Sequence, residues 1–340
     1  MKIGIQHTPG TFSERWIKYC KENKIQYKLV DCYSNDIIVQ LEDCNALMWH
    51  HQQINYKDLL FAKQLISSVE HCGKKVFPDY KTCWHFDDKV GQKYLFEAIE
   101  APFVPTYVFY SENTALDWIK KTTFPKVFKL RSGAGSSNVK LIKSKSQARK
   151  IVRKAFGKGF SRFDRIEYLK EKLRRFSDGT ESIIGIFKGI GRIFIPPEYA
   201  NMFANEKGYV YFQDFIPNNS YDIRVVVIGE KAFAIKRMVR KNDFRASGSG
   251  NILYEKENIP IETIKLSLQI AEKLQTQCIA FDFVYDILKD PQVVEMSFGF
   301  SPDPYDKCDG FWDKTLHYHK GPFTPQDWII QSLIKSSTEL

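Results

Sequence analysis

"FDFVYDILKDPQVVEMSFGF", residues 281–300, reads as a hairpin of two buried strands. Phe281, Phe283 and Tyr285 alternate along the first run, Val293 and Val294 lie on the second, and "DILKDPQ" supplies the turn residues between them. Each strand carries one acid, Asp282 and Glu295. An unpaired charge in an apolar setting is costly, so two such acids imply a cation that holds both.

Upstream of this hairpin, "YVYFQDFI", "YDIRVVVIG" and "KAFAIKRMV" read as consecutive strands and "ETIKLSLQIAEKLQT" as an amphipathic helix. At the other end of the chain, "KIGIQ", "QYKLVDC", "NALMWHH" and "KKVFPDY" are short β-rich runs. They are separated by segments such as "TFSERWIKYCKENK", in which Trp16, Ile17 and Cys20 recur at helical spacing. Strands alternating with helices predict a parallel α/β domain over residues 1–80, with His50 and His51 either at the ligand end of its sheet or merely opening a polar loop. In "HFDDKVGQKYLFEAIEAPFVPTYVFYS", Asp87 or Asp88 caps a helix that ends near "AP", and a strand follows Val104. The segment "SIIGIFKGIGRIFIPPEYANMF" has no clear period.

The chain has 340 residues, 43% hydrophobic and 14% aromatic, which excludes general disorder. Its seven cysteines are odd in number and contain no C-x-x-C, against both a disulfide scaffold and a structural zinc site, so a reducing cytoplasm is expected. No window approaches a membrane span and the N-terminus has no signal-peptide run. The net charge of +10 is local: Lys143 to Arg175 holds 13 Lys/Arg against three acids, itself +10.

Two further stretches carry chemistry. "KLRSGAGSSNVKL" places Ser132, Gly133, Gly135 and Ser136 between two β-rich runs, where glycines let amide N–H groups approach an anion. It is neither a P-loop nor a Rossmann fingerprint, and an ordinary hairpin turn is the alternative. Lys129, two residues before the "RSGAGSS" turn and on a strand's inward face, favours the anion. "DIRVVVIGEKAFAIKRMVRKNDFRASGSGN" adds Arg224, Arg237, Arg240 and Arg245, whose planar forks suit phosphate and carboxylate oxygens. Together with Asp282 and Glu295 these pieces ask for a polyphosphate and its magnesium.

The ordered set resembles the ATP-grasp superfamily, above all its carboxylate–amine ligases, over roughly residues 1–300. The resemblance implies an α/β (α+β ATP-grasp) fold: an N-terminal preATP-grasp parallel domain (1–80), then two α+β subdomains that clamp ATP. These would be a linking helix and small subdomain (81–212, with a basic insertion at 143–205), and a large subdomain with its C-terminal tail (213–340). It assigns Lys89, Lys129 and the loop residues to ATP, "QDFI" with Gln213, Asp214 and Phe215 to a hinge that reads adenine, and Asp222 to the ribose side. Arg224, Arg237 and Arg245 would stabilise the transferring phosphoryl group and its intermediate, while Asp282, Glu295 and Ser297 would hold Mg²⁺ or Mn²⁺. The family usually reads E-x-N where this chain reads "EMS", so Ser297 replaces the amide ligand.

On the same resemblance the reaction joins a small-molecule carboxylate to an amine through an acyl phosphate in a cytoplasmic enzyme, with a homodimer allowed. It also links the chain to ATP-grasp proteins of bacterial surface-polysaccharide clusters. Rival readings are a kinase of the same fold, which phosphorylates a hydroxyl, and a non-catalytic nucleotide- or polysaccharide-binding protein. The basic insertion suits an anionic saccharide or lipid-linked acceptor, or a solvated helical face; nucleic acid is disfavoured because no recognised binding motif is present. The Asp-, aromatic- and His-rich tail after Ser297, with Cys308, His317 and His319, reads as packing, as a metal site or as a pocket for a polar substrate.

Overall fold

The computed structural model describes residues 1–133, 138–177, 182–195, 197, 202–239, 245–246 and 250–335. It divides into two compact units, one of Met1–Phe86, Ala98–Pro102 and Asn218–Leu340, the other of Asp87–Glu97 and Phe103–Pro217.

The first unit opens with strands β1 (Lys2–Gln6), β2 (Gln26–Val30), β3 (Ala46–Met48) and β4 (Lys75–Phe77), all parallel in the order β2-β1-β3-β4. The helix Phe12–Glu22 begins where the Thr11 hydroxyl accepts the Ser13 N–H, and it buries Phe12, Trp16 and Cys20, the period seen in the sequence. His50 and His51 follow β3 but face no solvent. The His50 ring stacks on Phe12 with centroids 3.7 Å apart, and the His51 ring meets Phe86 and Phe298. Burial pushes the His50 imidazole down to about 3, so it packs as a neutral ring.

The first unit's other sheet is antiparallel. Its strands come later in the chain than the four of the second unit and are β9 (Tyr221–Ile228), β10 (Lys231–Met238), β11 (Ile252–Leu253), β12 (Cys278–Tyr285), β13 (Pro291–Ser297), β14 (Gly310–Asp313) and β15 (Tyr318–Lys320). Their order is β13-β12-β9-β10-β14-β15, with β11 beside β10. The β12–β13 hairpin closes on Asp286, whose Oδ1 accepts the Leu288 and Asp290 N–H groups at 2.9 and 3.0 Å, and on Lys289 in the left-handed region.

Alternate residues of β9, β10 and β12 (Val226, Ile228, Phe233, Ile235, Cys278 and Ala280) join one core with the N-terminal sheet. The helix Ile261–Leu274 lies on the opposite face, where the Thr263 and Tyr285 hydroxyls are 2.8 Å apart. The tail completes this unit. Tyr305, Cys308 and Trp328 enter the same core, the Cys308 Sγ lies 3.7 Å from the Ala234 carbonyl, and His319 sits 2.6 Å from Asp313 on the β14–β15 hairpin.

The second unit contains β5 (Thr106–Phe109), β6 (Lys126–Lys129), β7 (Lys140–Ile142) and β8 (Val210–Asp214), antiparallel in the order β5-β8-β6-β7. The helices Glu112–Lys121 and Lys145–Phe156 pack Ala115, Ile119, Ala148 and Val152 against Phe128 and Phe212 of this sheet. The basic stretch continues as the helix Arg165–Ser177, and the apparently aperiodic stretch forms the helix Ile183–Phe194 against it. No helix among the described residues is long and apolar enough to cross a membrane.

Candidate functional site

The face of β9, β10 and β12 that is apolar toward the core ends in charge. Asp222 and Arg224 continue the row of Val226 and Ile228, Arg237 that of Phe233 and Ile235, and Asp282 that of Cys278 and Ala280. Strand register does the rest: Asp222 lies opposite Arg237, Arg224 opposite Asp282, Asp282 opposite Glu295, and Ala280 opposite Ser297. β13 carries one extra residue, since the register shifts between Asp282 and Phe283, so Val294 bulges and Glu295 stays on the charged face.

Arg224 Nη1 donates to both oxygens of Asp282 at 2.9 and 3.1 Å. Arg237 donates from Nε and Nη2 to the two oxygens of Asp222 at 2.6 and 2.8 Å, and its Nη2 also lies 3.0 Å from Asp282 Oδ1. Burial pushes the Asp222 carboxyl up to about 6, with Arg237 opposing the rise and Asp282 adding to it. For Asp282 burial acts the same way but Arg224 and Arg237 outweigh it, and its carboxyl is held below the ordinary range. The set comprises three carboxylates (Asp222, Asp282, Glu295) and two guanidiniums (Arg224, Arg237), a formal charge of −1. Among the described residues no group of three or more His, Cys, Asp or Glu is placed to hold a metal ion, and both oxygens of Asp222 and of Asp282 already accept from arginine. Ser297 is a weaker member, for its hydroxyl donates to the Gly299 carbonyl at 2.9 Å. Arg245 is half-buried, and Arg240 lies outside the described residues.

The second unit carries its own lysines, each with a separate partner. Asp88 caps the helix Lys89–Ala98 by accepting the Gly91 N–H at 2.9 Å, which places Lys89 in the first turn. The Lys89 Nζ donates to the Gly133 carbonyl at 2.6 Å, and Gly133 N–H donates to Asp87 at 2.7 Å. Gly133 adopts φ +105°, a conformation that only glycine takes readily. Burial raises the Asp87 carboxyl, against the pull of Lys89. Ser132 hydrogen-bonds Glu206, while Gly135 and Ser136 lie outside the described residues.

Lys129, 4% exposed, donates to Gln213 Oε1 at 2.7 Å, and Gln213 donates in turn to the Thr106 hydroxyl at 3.1 Å. Asp214 meets Lys126 at 2.6 Å directly across β6 and β8, and Phe215 is half-buried just past β8. Lys126 and Asp214 therefore share the face that Phe128 and Phe212 turn to the helices, opposite to Lys129 and Gln213. The spacing already shows this in the sequence, since Lys126 stands three residues before Lys129 and so on the other face of the same strand. Asp87 and Glu206, which fasten the glycine loop, were not singled out as loop partners, and Glu206 is 74 residues from Ser132.

A family model described as a RimK-like ATP-grasp domain matches residues 199–301. No curated protein matches the sequence. Among solved structures, a D-alanine–D-alanine ligase from Bacillus anthracis, complexed with ATP, is 14% identical with a TM-score of 0.57, over 100% of this chain and 98% of that one. A RimK-domain ATP-grasp protein from Sphaerobacter thermophilus is 14% identical with a TM-score of 0.54, over 98% and 100%. A D-cycloserine synthetase is 12% identical with a TM-score of 0.59, over 98% and 99%. At these identities the likeness is one of fold, and it agrees with the mixed sheets described above. Residues 199–301 thus match the RimK-like ATP-grasp domain, and the chain over its length shares the fold of solved ATP-grasp structures.

Proposed function

We propose that the protein is a cytoplasmic ATP-dependent carboxylate–amine ligase that works through an acyl phosphate and releases ADP and phosphate. The observation that carries this reading is the charged end of the β9, β10, β12 and β13 face, where the buried Arg237 and the half-buried Arg224 are fixed by Asp222 and Asp282 beside Glu295. Preorganised cations of this kind stabilise a transferring phosphoryl group without reorganising during the reaction.

In the first step a substrate carboxylate oxygen attacks the γ-phosphorus of ATP, and the bond to the β–γ bridging oxygen breaks to release ADP. The amine then attacks the acyl carbon, phosphate leaves with the electrons of the C–O bond, and the nitrogen gives up a proton. Arg224, Arg237 and Arg245 are assigned to the charge that develops on phosphoryl and acyl oxygens. Lys89, Lys129 and the loop of Ser132, Gly133, Gly135 and Ser136 are assigned to the nucleotide phosphates, and Gln213, Asp214 and Phe215 to adenine. The bidentate bond from Arg237 favours an orienting role for Asp222 over a ribose contact. Asp282 and Glu295, with Ser297 as a minor donor, would hold Mg²⁺ or Mn²⁺, which neutralises phosphate charge when bound.

We assign one substrate to the anionic surface-polysaccharide precursors, a reading supported by the +10 segment from Lys143 to Arg175. The test is release of ADP and phosphate from Mg·ATP in the presence of amino acids combined with uronic acids and nucleotide-sugar uronates, with Glu295→Gln as control. A product with the mass of an amide supports the ligase. A phosphate ester would overturn it in favour of a kinase, and nucleotide binding without turnover across these pools would favour a non-catalytic role.

A further inference from the structure

The helix Ile183–Phe194 is turned inside out relative to an ordinary surface helix. Its small residues face protein: Gly185 and Gly189 are buried, and a Cβ on Gly189 would lie 3.1 Å from Leu169 of the helix Arg165–Ser177. Arg165 Nη1 donates to the Ile193 carbonyl at 2.9 Å and ties the end of one helix to the start of the other. The large residues face solvent instead. Ile183, Ile184, Phe187, Ile190 and Phe194, with Ile195 just beyond, are each between 41 and 77% exposed. At helical spacing the five within the helix form one stripe about 120° wide, with Ile195 just past its end, and a contiguous apolar stripe on a surface marks a docking site where scattered residues do not.

Charge identifies the occupant. Lys188 and Arg192 are exposed along one edge of the stripe, and the segment from Lys143 to Arg175, which includes most of the partner helix, carries +10. A second copy of the same surface would bring two such segments together against their mutual repulsion. An anionic bilayer surface offers both an apolar layer and negative headgroups. A helix of 12 residues is too short to cross a bilayer, but suited to lying in its interface.

We propose that the helix pair Arg165–Ser177 and Ile183–Phe194 docks on an anionic phospholipid surface, with the exposed stripe at the acyl boundary and Lys188 and Arg192 among the headgroups. This docking needs no nucleotide and stands apart from the ligase reading. It is tested by flotation of the full-length protein, without ATP, with vesicles of phosphatidylcholine alone and of phosphatidylcholine containing about one third phosphatidylglycerol. The protein floats with the second and not the first. The double variant Phe187→Ser/Phe194→Ser lowers the bound fraction on the order of tenfold, and Lys188→Glu/Arg192→Glu or high salt lowers it several-fold. All four positions are exposed, so thermal melting is unchanged in both variants and separates lost docking from unfolding.

No flotation with either vesicle, or equal flotation with both, would overturn the proposal. So would a dimer in size-exclusion chromatography that Phe187→Ser/Phe194→Ser dissociates, because the stripe would then be a contact between copies.

Discussion

Arg237 grips Asp222 with two parallel hydrogen bonds of 2.6 and 2.8 Å, and the nitrogen that makes the second also reaches Asp282 at 3.0 Å. One guanidinium thus separates two carboxylates on a buried sheet face. The bidentate bond fixes its plane, and the contact with Asp282 couples it to Arg224 on the neighbouring strand.

Arg237→Ala leaves Asp222 and Asp282 as like charges without their shared partner. The expected loss of stability is about 3–5 kcal/mol, measured by urea unfolding. Arg237→Lys keeps the charge and loses the fork, so it recovers only part of that stability. Full recovery by lysine would show that geometry at this position is unimportant.

The two acids give opposite pH dependences. Asp222, raised by burial from 3.8 to about 6, binds a proton in the folded state before the unfolded chain does. Its contribution to stability is therefore largest below the unfolded value and declines as pH rises through that window. Asp282, held low mainly by Arg224 and Arg237 against burial, contributes stability above the unfolded value that is lost as pH falls through its own lower folded value. The difference in unfolding free energy between the native protein and Asp222→Asn should slope between pH 4 and pH 6, bounded by the same two values. A difference that stays flat across that interval contradicts the assignment.

Lys126 is nearly buried between Asp214 at 2.6 Å and the rings of Tyr107 and Trp118, 5.2 and 5.9 Å away. Asp214→Ala removes the carboxylate and leaves the ammonium, at an expected cost of about 1–3 kcal/mol. The double variant Lys126→Met/Asp214→Leu removes both charges, and it should be more stable than Asp214→Ala alone. Chemical denaturation of the three proteins checks the order.

Lys129→Ala and Glu295→Gln should each lower ADP release on the order of a hundredfold or more, as loss of a group that stabilises transition-state charge does. Both variants should remain folded, with Lys129→Ala losing about 1–3 kcal/mol because the buried Gln213 Oε1 loses this donor, a loss too small to account for the fall in turnover. Turnover that survives both substitutions would remove these residues from the site.

Much of this was legible in the sequence because it is local. Alternation along β12 and turn residues after Tyr285 announce a hairpin, and a hairpin places Asp282 and Glu295 together whatever surrounds it. The spacing of Trp16 and Cys20, the cap at Asp88 and the glycine loop after Lys129 are equally short-range patterns. By itself, then, the sequence determined the elements with a clear local period, their order and the acid pair.

Only the tertiary structure decided what each charge meets. Asp282 lies against Arg224 because β9 is inserted between β12 and β10, a neighbour relation between segments 58 residues apart that no local period encodes. The same holds for Lys126 with Asp214 and for the tail residues Tyr305 and Trp328 in the core of the N-terminal sheet. The helix Ile183–Phe194 hid its period because glycines occupy its inner face and isoleucines and phenylalanines its outer one, so apolar residues occur on every side. Which side of such a helix faces solvent is a matter of how closely another backbone can approach, and that is settled only when the partner helix is in place.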